Sequence, residues 1–331
     1  MANVLEVKHL STSFDTFDGE VKAVRDVSFS LEEGVITGLI GESGCGKSVT
    51  ALSVLQLLSK RGRIKSGEIW FREQNLVTLT EKQMLNIRGE QIAMIFQNAM
   101  TALNPLYTIG NQMAEVISYH KKTSRAETMR RCEEMLRMVG LQDTERCLKS
   151  YPHQLSGGMR QRVAIAMALS CEPALLLADE PTTALDVTTQ AQILKIIQQM
   201  CTELHTSVVL ITHDLSVVAN TCAHVIVMYG GKVVESGPTE ELFVNPKHPY
   251  TKALLHTVQD LEAGHGRRLF SIEGYPPQLL EPPAGCPFAE RCPCAMRICQ
   301  QAMPAQYGTE KHQAACWLLD PDCPIGGMHH V

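Results

Sequence analysis

Residues 41–48 read Gly41-Glu42-Ser43-Gly44-Cys45-Gly46-Lys47-Ser48, which is the full G-x-x-x-x-G-K-S pattern of a phosphate-binding loop. An apolar run precedes it at 35–40 and a helix-like run follows at 51–58, so the loop has the strand–loop–helix setting that the pattern requires. Glycines let consecutive backbone N–H groups turn toward phosphate oxygens, and the helix adds the positive end of its dipole. The stretch therefore predicts a nucleotide-binding α/β fold.

The loop residues have distinct expected roles. Lys47 is placed to reach the β- and γ-phosphates, and the Ser48 hydroxyl is placed to join the shell of a Mg²⁺ ion. ATP and Mg²⁺ are the expected ligands, and the loop residues expected around them are Gly41, Ser43, Gly44, Cys45, Gly46, Lys47, Ser48 and Val49. Because a thiol at a helix N-terminus tends toward a lowered pKa, we expect alkylation of Cys45 to inhibit the protein and ATP to protect it.

Composition limits the function classes. The chain has 331 residues, 44% of them hydrophobic and 20% charged, which suits one large domain with a smaller one. The formal net charge of −5 argues against broad nucleic-acid binding, which needs a basic surface. No apolar run reaches the roughly 18 residues that span a bilayer, and the first residues resemble neither a signal nor a transit peptide. We expect a cytoplasmic protein that reaches any membrane through a partner.

The order of predicted elements indicates a sheet covered by helices. Residues 4–10, 21–24 and 27–31 alternate as strands, and a turn at 15–19 between the first two predicts an antiparallel hairpin region. Helical spacing marks a helix at 127–139, closed by Gly140, inside an insertion of about 100–170. Short β-rich runs are expected at 67–71, 92–96, 174–178, 207–211 and 225–228. Their alternation with helices predicts a parallel sheet with helices on its faces.

The composition changes near residue 245. Prolines become frequent, and half of the twelve cysteines follow residue 285. We predict a nucleotide-binding domain over 1–250 and a small cysteine-rich domain over 251–331.

Two adjacent carboxylates end a predicted strand. Asp179 and Glu180 follow the apolar run 175–178. Asp179 is expected to hold Mg²⁺ through water, and Glu180 to polarise the attacking water as general base. Such a pair is common by chance, but together with a phosphate loop it is a strong sign of nucleotide hydrolysis.

A second glycine-rich helix start lies at 155–159. Ser156 is expected to cap the helix predicted over 160–170, while Gly157 and Gly158 leave its first N–H groups open to an anion. One nucleotide seldom needs two phosphate cradles from one chain, so the second cradle is expected to serve a neighbouring subunit. His213, just after the strand at 207–211, is expected to contact the γ-phosphate; a lone histidine is otherwise most often structural.

These motifs, in this order, resemble the ATP-binding subunits of ABC transporters, and the resemblance covers nearly the whole chain. It implies a P-loop ABC ATPase domain with a mixed sheet core, an antiparallel β subdomain and a helical subdomain. It also implies that Gln97 senses Mg²⁺ and couples to the permease, that Glu180 is the base, that 184–186 forms the D-loop and that His213 is the switch histidine. Phe14 resembles the aromatic residue that stacks on adenine, Phe17 is the competing candidate, and either ring could instead pack on the core.

Three further stretches, 100–105, 152–159 and 247–251, resemble the dipeptide/oligopeptide importer branch. The branch implies a second, different ATPase subunit, two membrane permease subunits and an extracytoplasmic solute-binding protein, with the chain bound at the cytoplasmic face of the membrane and no nucleic-acid partner. Asn98-Ala99 departs from the usual Asp-Pro of the branch, whereas Met159 is usual in it. Importers of nickel, metallophores or other small solutes are the alternative, followed by an ABC ATPase that does not drive transport.

The clustered cysteines suggest a metal group, because a cytoplasmic chain should not hold a disulfide framework. Cys286, Cys292, Cys299 and Cys316 resemble the four ligands of a [4Fe–4S] cluster in the C-terminal motif of peptide-importer ATPases. Zinc and free thiols stay open, although the spacing of Cys286 and Cys292 is not that of a usual zinc pair. Cys294 and Cys323 are the spare cysteines.

Overall fold

The computed structural model of the chain describes residues 2–97, 102–183, 185–262 and 271–323. The chain forms two compact units. The first contains 1–5, 30–36 and 71–211, and the second contains 6–29, 37–70 and 212–331.

The strands and helices follow each other in the predicted alternation. The strands are β1 (Asn3–Thr16), β2 (Gly19–Glu32), β3 (Ile36–Ile40), β4 (Gly62–Phe71), β5 (Gln74–Asn75), β6 (Ile92–Ile95), β7 (Leu175–Asp179), β8 (Ser207–Thr212), β9 (His224–Tyr229), β10 (Lys232–Pro238), β11 (Tyr307–Gly308) and β12 (Gln313–Ala314). The helices are α1 (Lys47–Val54), α2 (Glu81–Met84), α3 (Ile109–His120), α4 (Arg125–Met138), α5 (Thr144–Lys149), α6 (Gly157–Leu169), α7 (Val187–Leu204), α8 (Leu215–Thr221), α9 (Thr239–Val244), α10 (Pro249–Glu262) and α11 (Arg297–Gln301).

The predicted hairpin is present in the second unit. Strands β2, β1 and β4 lie side by side in that order. Strand β1 ends at Thr16 and β2 begins at Gly19, so the turn between them is shorter than the predicted 15–19. The Thr16 hydroxyl donates to the carbonyl oxygen of Gly19 across this turn (2.7 Å). Strand β4 begins five residues before the predicted 67–71 run, because its first half is mostly exposed and so lacks an apolar pattern.

A second set of strands in the same unit carries the phosphate loop. Strand β3 pairs in parallel with β9, matching Thr37 to His224 and Ile40 to Val227. Strand β9 pairs antiparallel with β10, and β10 pairs antiparallel with the short β12. The interior residues Val225, Val227 and Tyr229 of β9 are fully buried. A parallel neighbour therefore fixes the end of β3 from which the loop starts.

The first unit contains a parallel group of strands and most of the helices. Strand β7 pairs in parallel with β6 on one side and β8 on the other. All five residues of β7 are buried, which is why its sequence is continuously apolar up to Asp179. The parallel arrangement predicted from the alternating elements is confirmed.

Helices α3 to α6 form the predicted helical part. Helix α4 begins after the Ser124 cap, buries Cys132, Met135 and Leu136, and is followed by Gly140 at φ +78°. Helix α6 begins at Gly157, three residues before the predicted start, because the Ser156 side chain caps it there. Within the described ranges, no helix is both long and apolar enough to cross a membrane.

Candidate active site

The phosphate loop depends on two glycines that have no room for a side chain. A Cβ atom at Gly41 (φ +147°) would lie 2.1 Å from the carbonyl oxygen of Met228, and one at Gly46 (φ +101°) would lie 2.5 Å from that of Ala23. Gly44 also has a positive φ of +79°, but nothing lies within 4 Å of its Cβ position. Gly41 and Gly46 are therefore required by close backbone approach, and Gly44 by backbone conformation alone.

Lys47 is the first residue of α1 and is only 7% exposed. Its Nζ donates to the carbonyl oxygens of Gly41 (2.6 Å) and Glu42 (3.0 Å), so the ammonium is held inside the curve of the loop. Gly46 precedes the helix without a side-chain cap, so the first N–H groups of α1 have no capping side chain. A buried ammonium and an uncapped helix start together form an anion-binding arrangement.

The expectation that the Cys45 thiol has a lowered pKa is wrong. Cys45 is only 4% exposed, and burial raises its pKa even though the Lys47 Nζ lies 3.7 Å from its sulfur and acts in the opposite direction. Desolvation of the thiolate outweighs the nearby positive charge. The expected inhibition by alkylation therefore loses its chemical basis.

The first unit brings Gln97 and Glu180 together. Gln97 Nε2 donates to Glu180 Oε2 (2.9 Å), and the Thr183 hydroxyl donates to the same oxygen (2.8 Å). Glu180 is half-buried and has a left-handed φ of +45°, and its N–H donates to the carbonyl oxygen of Ile211 (2.9 Å). Asp179, the last residue of β7, is 5% exposed. The carboxylate of Glu180 is thus held by two donors at the end of a buried strand.

Thr183 was not among the predicted residues. Its hydroxyl lies three residues after Glu180, and this nearness in the sequence was the only signal that could have identified it.

The second glycine-rich helix start is also in the first unit. Ser156 accepts a hydrogen bond from the Met159 N–H (3.3 Å), which is the cap expected from the sequence. Ser156 and Gly157 are exposed, and nothing lies within 4 Å of a Cβ position at Gly157. Gly158 is tighter, since a Cβ there would lie 3.1 Å from a methyl group of Thr189. The start of α6 is therefore open to an anion from outside the chain.

His213 is exposed and directly precedes the cap of α8. That cap is Asp214, whose side chain accepts from the N–H groups of Ser216 and Val217. A rigid capping residue next to the histidine fixes the backbone from which its imidazole projects.

The two candidate aromatic residues differ in exposure. Phe14 is half-buried, and its ring lies so close to Gly62 that a Cβ there would be 2.5 Å from it. Phe17 is 100% exposed near the tip of the hairpin. Phe14 therefore has a fixed ring position, and Phe17 does not contact the core.

Two residues from distant parts of the sequence contact the phosphate loop and were not predicted to do so. The Glu42 N–H donates to the hydroxyl of Tyr250 (2.9 Å), and Arg291 Nη1 donates to Glu42 Oε2 (2.7 Å). Tyr250 lies in the 247–251 stretch that resembles the peptide-importer branch, so that stretch was a signal for it.

The four cysteines predicted as cluster ligands line one recess. Cys286, Cys292, Cys299 and Cys316 line a recess of about 310 Å³ that is partly open to solvent, and the spare Cys294 lines it as well. Burial raises the pKa of Cys286 and Cys316 to about 11 and that of Cys292 to about 12. These thiols are protonated at neutral pH unless a metal binds and displaces the protons.

A single-ion site is not formed by these side chains. Across 2–97, 102–183, 185–262 and 271–323, no three His, Cys, Asp or Glu side chains lie close enough together to hold one metal ion. Tetrahedral zinc, the alternative prediction, needs four ligands around one point and has no such group here. The [4Fe–4S] prediction is not confirmed either: four thiols are the donor set that such a cluster takes, but the described side chains form no group close enough together to hold a metal.

Some predicted positions fall outside the described residues. These are Asn98-Ala99, Met100 and Thr101 of the 100–105 stretch, and Ala184 of the D-loop. Asp186 of the D-loop is described, and it caps α7 by accepting from the Thr189 N–H (2.9 Å).

Comparisons with known proteins agree with these features. A family model described as ABC transporter matches residues 24–183, and one described as oligopeptide/dipeptide transporter, C-terminal region, matches 234–299. A probable peptide ABC transporter ATP-binding protein of Sinorhizobium fredii is 51% identical over 316 residues, covering 95% of this chain and 94% of the relative. A dipeptide transport ATP-binding protein of Bacillus subtilis is 49% identical over 322 residues, covering 97% and 96%.

A solved structure shares the fold of the larger part of the chain. It is a dimeric ATP-binding cassette in a post-hydrolysis state bound to ADP and phosphate, with 28% identity and a TM-score of 0.64. The similarity covers 71% of this chain and 98% of that cassette.

Proposed function

The chain belongs to the ATP-binding subunits of ABC transporters, and we propose that it hydrolyses ATP to power the uptake of dipeptides or oligopeptides through a separate membrane permease. The observation that carries this proposal is the similarity along almost the whole chain, 49% identity over 97% of it, to a dipeptide transport ATP-binding protein. The match of 234–299 to the oligopeptide/dipeptide C-terminal region adds a part that a general ABC cassette lacks.

The proposed residue roles are those that the sequence motifs imply, and the contacts within each unit support several of them. Lys47 binds the β- and γ-phosphates, exchanging its contacts with the loop carbonyls for phosphate oxygens. The Ser48 hydroxyl, Asp179 and Gln97 would hold Mg²⁺, which would neutralise phosphate charge when bound. Val49 and the loop residues Ser43 to Gly46 supply backbone N–H groups to the phosphates.

Glu180 is proposed as the general base. Its carboxylate accepts a proton from the attacking water as the water oxygen bonds to the γ-phosphorus and the bond to the β-phosphate oxygen breaks. The hydrogen bonds from Gln97 and Thr183 fix the carboxylate in one orientation, which a base needs before the reaction starts. His213 is proposed to contact the γ-phosphate, and Phe14 to stack on the adenine.

A second ATPase subunit is the proposed partner of this chain. The exposed start of α6, with Ser156, Gly157 and Gly158, would meet the γ-phosphate of a nucleotide bound to that subunit. The related cassette structure is described as dimeric, which supports pairing, and the importer branch favours a different subunit as the partner. Two permease subunits and an extracytoplasmic solute-binding protein complete the proposed importer, with this chain peripheral on the cytoplasmic face of the membrane. The division into a cassette over 1–250 and a C-terminal domain over 251–331 stays a prediction.

The four cysteines Cys286, Cys292, Cys299 and Cys316 are proposed to hold a [4Fe–4S] cluster. The support is that their thiols line one recess, and the cluster would supply a covalent cross-link among the loops that carry them. The test is iron and sulfide content and visible absorbance of the chain purified without oxygen. Cys299→Ser should lose most of both, whereas Cys323→Ser, the matched control at a spare cysteine that does not line the recess, should retain them. Equal absorbance in the two variants, or none in the native chain, would contradict the proposal.

The cargo is tested by uptake. Cells lacking this chain should take up labelled dipeptide or oligopeptide poorly and nickel normally. Loss of nickel uptake with normal peptide uptake would favour the alternative, an importer of nickel or a metallophore that uses the same ATPase chemistry. Normal uptake of every solute would favour an ABC ATPase that does not drive transport.

A further inference from the structure

The phosphate loop itself carries an acidic side chain. Glu42 follows Gly41, its carbonyl oxygen accepts from Lys47 Nζ, and its side chain is only 23% exposed. A loop that binds phosphates attracts anions through N–H groups and a lysine, so a partly buried negative charge within it opposes that attraction. Either Glu42 weakens nucleotide binding or its charge is neutralised locally.

Arg291 provides the neutralising charge. Its Nη1 donates to Glu42 Oε2 (2.7 Å) and to the Tyr229 hydroxyl (2.8 Å). The other guanidinium nitrogens are also occupied, since Nε donates to the Glu273 carbonyl (2.9 Å) and Nη2 to the Ile272 carbonyl (3.0 Å). The arginine side chain is 6% exposed, so it is held rigidly and is poorly screened by solvent.

Aromatic rings fix the position of this guanidinium further. Arg291 lies 5.7 Å from the ring centroid of Tyr229 and 6.0 Å from that of Phe288. Tyr250, whose hydroxyl accepts from the Glu42 N–H, packs on both rings at 4.4 Å and 5.3 Å between centroids. The backbone and the side chain of Glu42 are therefore both anchored to one buried cluster, which consists of Tyr229, Tyr250, Phe288 and Arg291.

We propose that Arg291 is a positioning residue for nucleotide binding: it neutralises Glu42 and holds the phosphate loop in the shape that accepts the phosphates of ATP. The proposal rests on the proposed function, because it requires ATP to bind at this loop. Arg291 lies between Cys286 and Cys292, and its N–H donates to the Phe288 carbonyl (3.0 Å). The cysteine-bearing segment thus contacts the phosphate loop through one buried ion pair.

The two halves of the pair have opposite expected effects on affinity. Removing Arg291 leaves an unpaired carboxylate beside the bound phosphates and should weaken binding. Removing the charge of Glu42 leaves the positive charge of Arg291 next to the loop and should not weaken binding. Removing both charges should restore most of the affinity lost with Arg291 alone. A contact that mattered only for folding would not weaken ATP binding in one single variant, spare it in the other and restore it in the double variant.

The test is the Kd of a fluorescent ATP analogue with Mg²⁺, measured by titration of the full-length purified chain. Arg291→Ala is expected to bind about tenfold more weakly, within the range usual for coupling between two sites. Glu42→Gln should bind within about threefold of the native chain or more tightly, and the double variant should recover to within about threefold of Glu42→Gln. Arg291→Lys, which keeps the charge, should lie close to the native value. The loss in Arg291→Ala should shrink as salt is added, because screening reduces the repulsion by Glu42.

Native affinity in Arg291→Ala would overturn the inference, and so would a double variant as weak as Arg291→Ala alone. If Arg291→Ala does not reach a folded baseline in circular dichroism, Arg291→Gln, which retains a donor for Tyr229, is titrated with the same expectations. Lys47→Ala separates the two proposals. Native affinity for the ATP analogue in Lys47→Ala would contradict ATP binding at this loop. If Lys47→Ala loses affinity but Arg291→Ala keeps the native affinity, only the role of Arg291 is contradicted.

Discussion

The substitution Glu180→Gln separates ATP binding from ATP hydrolysis. Gln97 Nε2 and the Thr183 hydroxyl donate to the same carboxylate oxygen of Glu180, Oε2. A glutamine amide has one carbonyl oxygen with two lone pairs, so it can accept both bonds in the same place. The substitution therefore removes the basic charge while a glutamine can keep these two hydrogen bonds.

The expected loss is that of a general base. Such groups contribute roughly 100- to 10,000-fold to a reaction rate, so kcat for ATP hydrolysis should fall by about that factor, or about 2.7 to 5.5 kcal/mol in barrier height. The Kd for ATP with Mg²⁺ should stay within about threefold of the native value, because the phosphates bind at the loop around Lys47. The assay is phosphate release under saturating ATP, with the Kd measured separately by titration.

Glu203→Gln is the matched control. Glu203 is exposed on α7 and accepts from the Gln199 side-chain amide (2.8 Å), so its neutralisation should leave kcat unchanged. A Glu180→Gln variant that retains native turnover would refute the assignment of the base. A variant that lost ATP binding and turnover together would show that Glu180 acts in binding instead.

Three further predictions concern single positions near the nucleotide. Gly41→Ala should cost about 2 to 4 kcal/mol of unfolding free energy and abolish ATP binding, because its Cβ would lie 2.1 Å from the Met228 carbonyl oxygen. Gly44→Ala has open space around its Cβ and should cost only about 1 kcal/mol. Equal losses of unfolding free energy in denaturant titrations would refute this account of the loop. Cys45 should be alkylated by N-ethylmaleimide at pH 7 far more slowly in the native than in the denatured chain, since burial raises its pKa and so lowers its thiolate fraction. Equal alkylation rates at Cys45 in the two states, measured by peptide mapping, would contradict this. Phe14→Ala should weaken ATP binding about fivefold or more while Phe17→Ala leaves it near the native value, and the reverse result would make Phe17 the stacking residue.

The fold and the main nucleotide motifs could be predicted from local sequence. The phosphate loop, its flanking strand and helix, and the Ser156 cap depend on neighbours within a few residues, so the pattern alone specifies them. The run before Asp179 reads as a strand because β7 is buried along its whole length. The hydrogen bond between Gln97 and Glu180 could be anticipated only through the resemblance, because 83 positions separate the two residues.

The features that could not be predicted depend on tertiary contacts. The direction of the Cys45 pKa shift is set by how deeply the fold buries the thiol, whereas the sequence shows only a helix start. The pairing of Glu42 with Arg291 joins residues 249 positions apart. Glu42 stands at a variable position of the phosphate-loop pattern, and that pattern does not include Arg291. The cysteine spacing suggested a metal group, but spacing could not show how far apart the thiols would lie around the recess.

The measurement that tests the central claim most directly is peptide uptake by cells that lack this chain, complemented with the native gene or with Glu180→Gln at matched expression. The native chain should restore uptake of labelled dipeptide or oligopeptide, and Glu180→Gln should not, because transport requires hydrolysis at this subunit. Uptake restored equally by both would contradict the claim that ATP hydrolysis by this chain powers peptide import.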